Sequence, residues 1–240
     1  MRQPLTLGQI LAVLDEPQSV ADLRRYFGVA GQSPFTGGQF ERLGSGGDRP
    51  ETRNVITAED LVAVELLSVR VPPRTALDLL QGALGKAVAA QLCEIPTDVP
   101  LGHPEASPYI ERGGRADRAW RLLRDADGIG WVVAGKLLAR KRPLLVPVYD
   151  EVVACAFRTR RNFWCWLHGR LSEQEAMLDS RLSELREQAG LPKEIITLLR
   201  VLDVAIWMRH RDEHTAYRCR GIRIPKPAAS GRCAEACQIA

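Results

Sequence analysis

Two hundred and forty residues, 45% hydrophobic and 26% charged, are enough for one sizeable domain or two small lobes that bury roughly 70% of the unfolded chain's surface. This composition excludes a disordered, collagenous or disulfide-scaffold chain, and no apolar run approaches the roughly 18 residues of a membrane span. The net charge of +4 hides an uneven distribution: 13 basic and 6 acidic residues in 111–170 and 8 against 3 in 200–232, which leaves 12 against 20 elsewhere. An acidic body with two basic segments is the arrangement expected when one face meets a polyanion, although solvated helix faces produce the same count.

The chain opens with an apolar stretch at 5–14, interrupted by Gln9 and followed by Asp15 and Glu16. It has neither the basic start nor the small-residue cleavage site of a signal peptide. Together with six scattered cysteines, read as reduced thiols, this points to a cytoplasmic protein. Residues 20–28 are helical text, and GSGGDRP at 44–50 reads as a linker that sets residues 1–50 apart as a helical extension. A helix is predicted over 57–68, with Thr57 as N-cap and Asp60 three places on, a near capping box. Proline- and glycine-rich punctuation follows at 96–108 and at Gly113-Gly114. Helical spacing then recurs over 116–124, 131–140, 161–171, 172–189 and 193–210, the last entered after Gly190 and Pro192. Leu144 to Val148 is β-rich but short and interrupted by Pro147, a poor strand. From residue 225 onward a Pro/Ala/Gly-rich stretch reads as a tail. The fold class expected is mainly α, as two packed helical lobes within 51–224.

The stretch DADGIGWVVAGKLLARKRPLLVPVYDEVV, from Asp125 to Val153, carries the chemistry. Gly128-Ile129-Gly130 stands between two amphipathic helices. Two glycines at this spacing permit positive φ and bring the backbone of a tight turn close to an outside group, while Ile129 between them points inward. The amides at the start of the following helix form a seat for a phosphate. Lys136, Arg140, Lys141 and Arg142 follow on or just beyond that helix and are expected to meet further phosphates. Asp150, after Pro147 and Tyr149, stands at a helix start, where it is either a carboxylate aimed at a reaction or an ordinary N-cap.

This order, helix, Gly-hydrophobic-Gly, helix with Ala134, proline-containing loop and then Asp150, resembles the helix-hairpin-helix DNA glycosylase superfamily over about thirty residues. The resemblance implies duplex DNA as partner, gripped at Gly128, Ile129 and Gly130, and Asp150 as the catalytic carboxylate acting on a nucleotide flipped out of the stack. It further implies hydrolysis of the N-glycosidic bond of a damaged or modified base, with a DNA-binding protein that lacks excision chemistry as the alternative. Val132 occupies the position of the Schiff-base lysine of bifunctional members, so hydrolysis without a lyase step is expected. Trp131 and Tyr149 are the candidate base-pocket residues, and Trp131 equally fits a plug between lobes.

No cofactor is expected, because Cys219, Cys233 and Cys237 lack the four-cysteine spacing of an iron-sulfur cluster and Cys155 and Cys165 read as small core residues. An alternative metal set is His210 and His214, four apart on a helix, with Cys219. Phe163, Trp164 and Trp166 offer either stacking surfaces for bases or core packing. Over residues 35–211 the chain also resembles an uncharacterised bacterial family of unknown function, mostly from high-GC actinobacteria, through FTGGQFERLGSGGDRPETRNVITAEDLVAVELLSVRVP, GIGWVVAGKLLARKRPLLVPVYD and LRVLDVAIWMRHR.

Overall fold

The computed structural model describes residues 3–29, 31, 33–159, 162–173, 177–214, 219, 221, 222, 224 and 225. Among these residues the secondary structure is helical throughout, with no strand. The helices run in order α1 (Leu7–Leu14), α2 (Gln18–Phe27), α3 (Ala58–Glu65), α4 (Pro73–Gln81), α5 (Ala83–Leu92), α6 (Ser107–Ile110) and α7 (Arg115–Arg124). They continue with α8 (Trp131–Lys141), α9 (Glu151–Phe157), α10 (Phe163–Leu171), α11 (Met177–Gln188) and α12 (Leu198–His214). None of them is long and apolar enough to cross a membrane.

Local chemistry explains most of the boundaries. Thr6 and Thr57 cap α1 and α3 with complete capping boxes, through Gln9 and Asp60 respectively. Pro73 opens α4 at its first turn, where its missing N–H costs nothing. The helices α4 and α5 add to those picked out by periodicity, and Gly82 is the break between them. Thr197 caps the start of α12, its hydroxyl accepting from the Arg200 amide at 3.2 Å. The turn made by Ile195 and Ile196 on Pro192 delays this helix to Leu198, later than the sequence suggests. At 144–148 the chain makes a turn and then runs extended without a sheet partner, because Pro143 and Pro147 each remove a backbone donor. The start of α10 expected at Arg161, the cysteines Cys233 and Cys237, and the tail beyond residue 225 lie outside the described residues.

Two groups of helices share one hydrophobic core. In one, α5 packs on α4 and α7, and α7 on α8; in the other, α12 packs on α2, α9 and α11. Ile10 and Leu14 of α1 and Leu23 of α2 are fully buried in the core that also contains Leu182, Val204 and Ile206. The Leu5 amide donates to the Phe157 carbonyl at 3.3 Å, which ties the start of the chain to the end of α9. The helix α8 runs through the middle and is buried from Val133 to Lys141. The extended segment after it leads to Asp150 at the head of α9.

Candidate functional site

The turn joining α7 to α8 has the shape its glycines suggest. Gly128 lies at φ +69°, in the left-handed region, and a Cβ there would come within 2.3 Å of the Pro72 ring. The Thr75 hydroxyl donates to the Asp127 carbonyl at 2.7 Å and fixes the turn to the start of α4. Ile129 is buried between Gly128 and Gly130, which are both exposed. Gly130 is the N-cap of α8 at an ordinary φ of −87°, and a Cβ on it would meet no heavy atom within 4 Å. The fold therefore requires glycine at 128 but leaves open space at 130, beside the first amides of α8.

The basic residues expected to hold phosphates have a different place. Lys136, Arg140 and Lys141 are each at most 3% exposed, so in this structure they are internal ties rather than surface cations. For Arg140 and Lys141 the reason lies in residues 40–54, a glycine-rich segment whose carbonyls turn toward α8. Lys141 Nζ donates to the carbonyls of Gly47 (2.9 Å) and Thr52 (3.2 Å) and pairs with Asp60. Arg140 donates to the carbonyls of Phe40 and Leu43 and lies 3.3 Å from Asp60 Oδ1. Arg142, also buried, donates to the carbonyls of Ile95 (2.9 Å) and Arg53 (2.7 Å) and to Asn54 Oδ1 (2.7 Å). Burial holds the Lys141 amine below its ordinary value and brings Arg142 down to about 10. Much of the excess charge of 111–170 is thus spent inside. Exposed Arg74 and Arg118 line a cleft with Asp127 of this turn, whereas Arg70, also exposed, lies 3.8 Å from Glu65.

Asp150 does two things at once. Its Oδ1 accepts from the amides of Val152 and Val153, both at 3.0 Å, and so caps α9. Its Oδ2 faces Lys136 Nζ at 3.8 Å, and the residue lines a cavity of about 290 Å³. Lys136 also donates to the Leu67 carbonyl at 2.9 Å, and burial pushes its amine down while Asp150 opposes that shift. The cavity is walled by Tyr26, Phe35 and Trp207, with Tyr26 and Phe35 stacked at 5.3 Å and Trp207 edge-on to both.

Two further charged groups line the same cavity, Arg200 and Asp203, one helical turn apart on α12. Arg200 pairs with Asp203 and with Glu41 at 2.5 Å, and it donates to the Tyr26 hydroxyl at 2.9 Å and the Gly37 carbonyl at 3.0 Å. Burial pushes the Asp203 carboxyl up to about 7, against the attraction of Arg200 and with Asp150 adding to the rise. Sequence reasoning missed Tyr26, Phe35, Arg200, Asp203 and Trp207. The available signal was two opposite charges inside the otherwise apolar run LLRVLDVAIWM, since a buried charge needs a partner.

Trp131 and Tyr149, the expected base-pocket residues, do not line the Asp150 cavity. Their rings meet at 5.3 Å, and they border a second cleft of about 560 Å³ together with Trp120, Phe163 and Trp164. Neighbouring residues of an extended chain face opposite sides, which puts Tyr149 in one cleft and Asp150 in the other. Phe163 stacks on Tyr149 at 3.8 Å and Trp166 packs on Phe157, so the aromatics of α10 serve this second cleft and the core behind it. His210, His214 and Cys219 gather with Cys155 where α9 packs against α12.

No curated protein and no solved structure matches the chain. The model of a family of unknown function, DUF6308, matches residues 19–210. That span contains both glycines of the hairpin turn and every residue named above as lining the Asp150 cavity. The chain belongs to the DUF6308 family, whose function is unknown.

Proposed function

We propose that the protein binds duplex DNA and hydrolyses the N-glycosidic bond of a damaged or modified base, with Asp150 as the catalytic carboxylate. The observation that carries this reading is a carboxylate, held at a helix start and set against Lys136, at the wall of an aromatic-lined cavity of about 290 Å³. Such a cavity has room for one base with flat faces on which to rest. Cleavage of the glycosidic bond builds positive charge on the sugar. Asp150 Oδ2 stabilises that charge and accepts the proton of the attacking water, while Oδ1 stays fixed by the amides of α9. The leaving base needs a proton, and Asp203 in the same cavity, raised to about 7 by burial, is the group that can hold one at neutral pH. Val132 in place of a lysine leaves no amine for a lyase step at that position.

The grip on DNA is assigned to the turn at Gly128 to Gly130 and the amides at the start of α8, with Arg74 and Arg118 in the adjoining cleft at Asp127. Lys136, Arg140 and Lys141 are withdrawn from that role because their charge is used internally. A second reading, DNA binding without excision, is favoured by the double engagement of Asp150 with its own helix and with Lys136. The experiment that separates the two is a base-release screen over duplex oligonucleotides carrying different lesions, run with Asp150→Asn and with binding measured at several salt concentrations. Release from one lesion class that is lost in the variant supports excision. Binding with a salt slope but no release from any lesion supports the second reading, and absence of both refutes the proposal.

A further inference from the structure

We infer that Cys155, His210, His214 and Cys219 form a structural zinc site that fastens the segment after α12 onto α9. One ligand atom from each of the four lies within 4.8 Å of all the others. Cys155 Sγ is 3.5 Å from Cys219 Sγ, and Cys219 Sγ is 3.4 Å from His210 Nε2. A tetrahedral zinc at about 2.3 Å from sulfur and about 2.0 Å from nitrogen sets its ligand atoms roughly 3.3–3.8 Å apart, which these separations match. The two imidazoles stand one turn apart on α12 with ring centroids 5.6 Å apart, as a pair of ligands on one helix face must.

A second observation points the same way. The Nδ1 atoms of His210 and His214 are buried and have no hydrogen-bond partner among the described residues, although His210 is itself fully buried. Cys219 faces His210 through Nε2, so the ion draws that nitrogen of His210 and leaves its Nδ1 as it is; the costly unpartnered nitrogen that an ion here can satisfy is Nδ1 of His214. The chain after α12 is shaped to reach the cluster: a Cβ on Gly221 would approach the Cys155 carbonyl at 3.1 Å, and Ile222 is buried. Two thiolates and two imidazoles are a set suited to zinc, and four protein ligands leave no open position, so the site holds structure rather than activates water. Because α9 begins at Asp150, the ion holds the far end of the helix that presents this carboxylate. The site stands independently of the proposed reaction.

Three of these ligands belong to the alternative set seen in the sequence. Cys155, which the sequence placed in the core, is the fourth. Full-length chain purified in reducing, chelator-free buffer should carry one equivalent of zinc by elemental analysis. After removal of zinc, added Co²⁺ should give the visible spectrum of a tetrahedral cobalt thiolate. Cys155→Ser and His214→Gln should each abolish stoichiometric zinc, whereas Cys165→Ser, or joint replacement of Cys233 and Cys237 by Ser, should retain it. Chelator should lower the melting temperature of the parent chain and leave that of Cys155→Ser unchanged. Three results would each overturn the site: a folded parent chain without zinc or tetrahedral cobalt, zinc that persists in Cys155→Ser, or a Cys155–Cys219 disulfide in that reducing preparation. If the variants do not fold, zinc content and the cobalt spectrum of the parent chain decide the matter alone.

Discussion

Replacing Asp60 by Asn tests whether the cations of α8 are internal ties. Asp60 is 1% exposed, caps α3 through Thr57, and is the carboxylate that faces both Arg140 and Lys141. Asparagine keeps an oxygen for the cap and removes the charge. Removing one partner of a buried ion pair costs about 3–5 kcal/mol, because the remaining charge stays buried without its counter-charge. In a chain of this length each kcal/mol lowers the melting temperature by about 2–4 °C, so Asp60→Asn should melt roughly 10 °C below the parent. Chemical unfolding followed by far-UV circular dichroism measures the loss, and a double-mutant cycle with Lys141→Met isolates the pair. The double variant should be less destabilised than the two single effects together, since Met leaves no buried ammonium to strand. A loss below about 1 kcal/mol for Asp60→Asn, with additive single effects, would refute the reasoning. It would return Lys141 and Arg140 to the list of residues free to meet phosphate.

Two glycines of one turn should behave oppositely. Gly128→Ala should lose about 1–3 kcal/mol in the same unfolding assay, from positive φ and the clash with Pro72, whereas Gly130→Ala should fold as the parent does and bind DNA less tightly. Equal stability of the two variants would contradict the turn geometry. For Asp203 the sign follows from its raised carboxyl: the folded chain holds a proton that the unfolded chain releases at lower pH, so the contribution of this group to stability is fullest near pH 4 and is lost as pH rises through about 7. Asp203→Asn should flatten that decline, and an unchanged slope in unfolding free energy between pH 4 and 7 would contradict the assignment.

The helices were largely legible because periodicity and capping are local: Thr57 and Asp60 define the start of α3, and Gly128-Ile129-Gly130 defines the turn into α8. What α8 does with its cations was not. A helical wheel places Lys136, Arg140 and Lys141 but cannot say that carbonyls of residues 40–54, distant in sequence, surround the last two. The Asp150 cavity is hidden for a similar reason. Its walls come from α2, from Phe35, from α12 and from the segment after α3, and only tertiary packing brings Tyr26 next to Arg200. The separation of Tyr149 from Asp150 could be anticipated from the extended backbone, in which adjacent side chains diverge. Cys155 read as a core residue because its partners on α12 are far along the chain.

The most direct test of the central claim is the single-turnover rate of free-base release from the best lesion duplex, compared between the parent chain and Asp150→Asn. Asparagine retains the helix cap but leaves Lys136 without its counter-charge, so Asp150→Asn should melt below the parent yet still fold and hold DNA, while release falls by about 10²–10⁴-fold. Release at the parent rate by a folded Asp150→Asn would contradict the account and remove Asp150 from the chemistry.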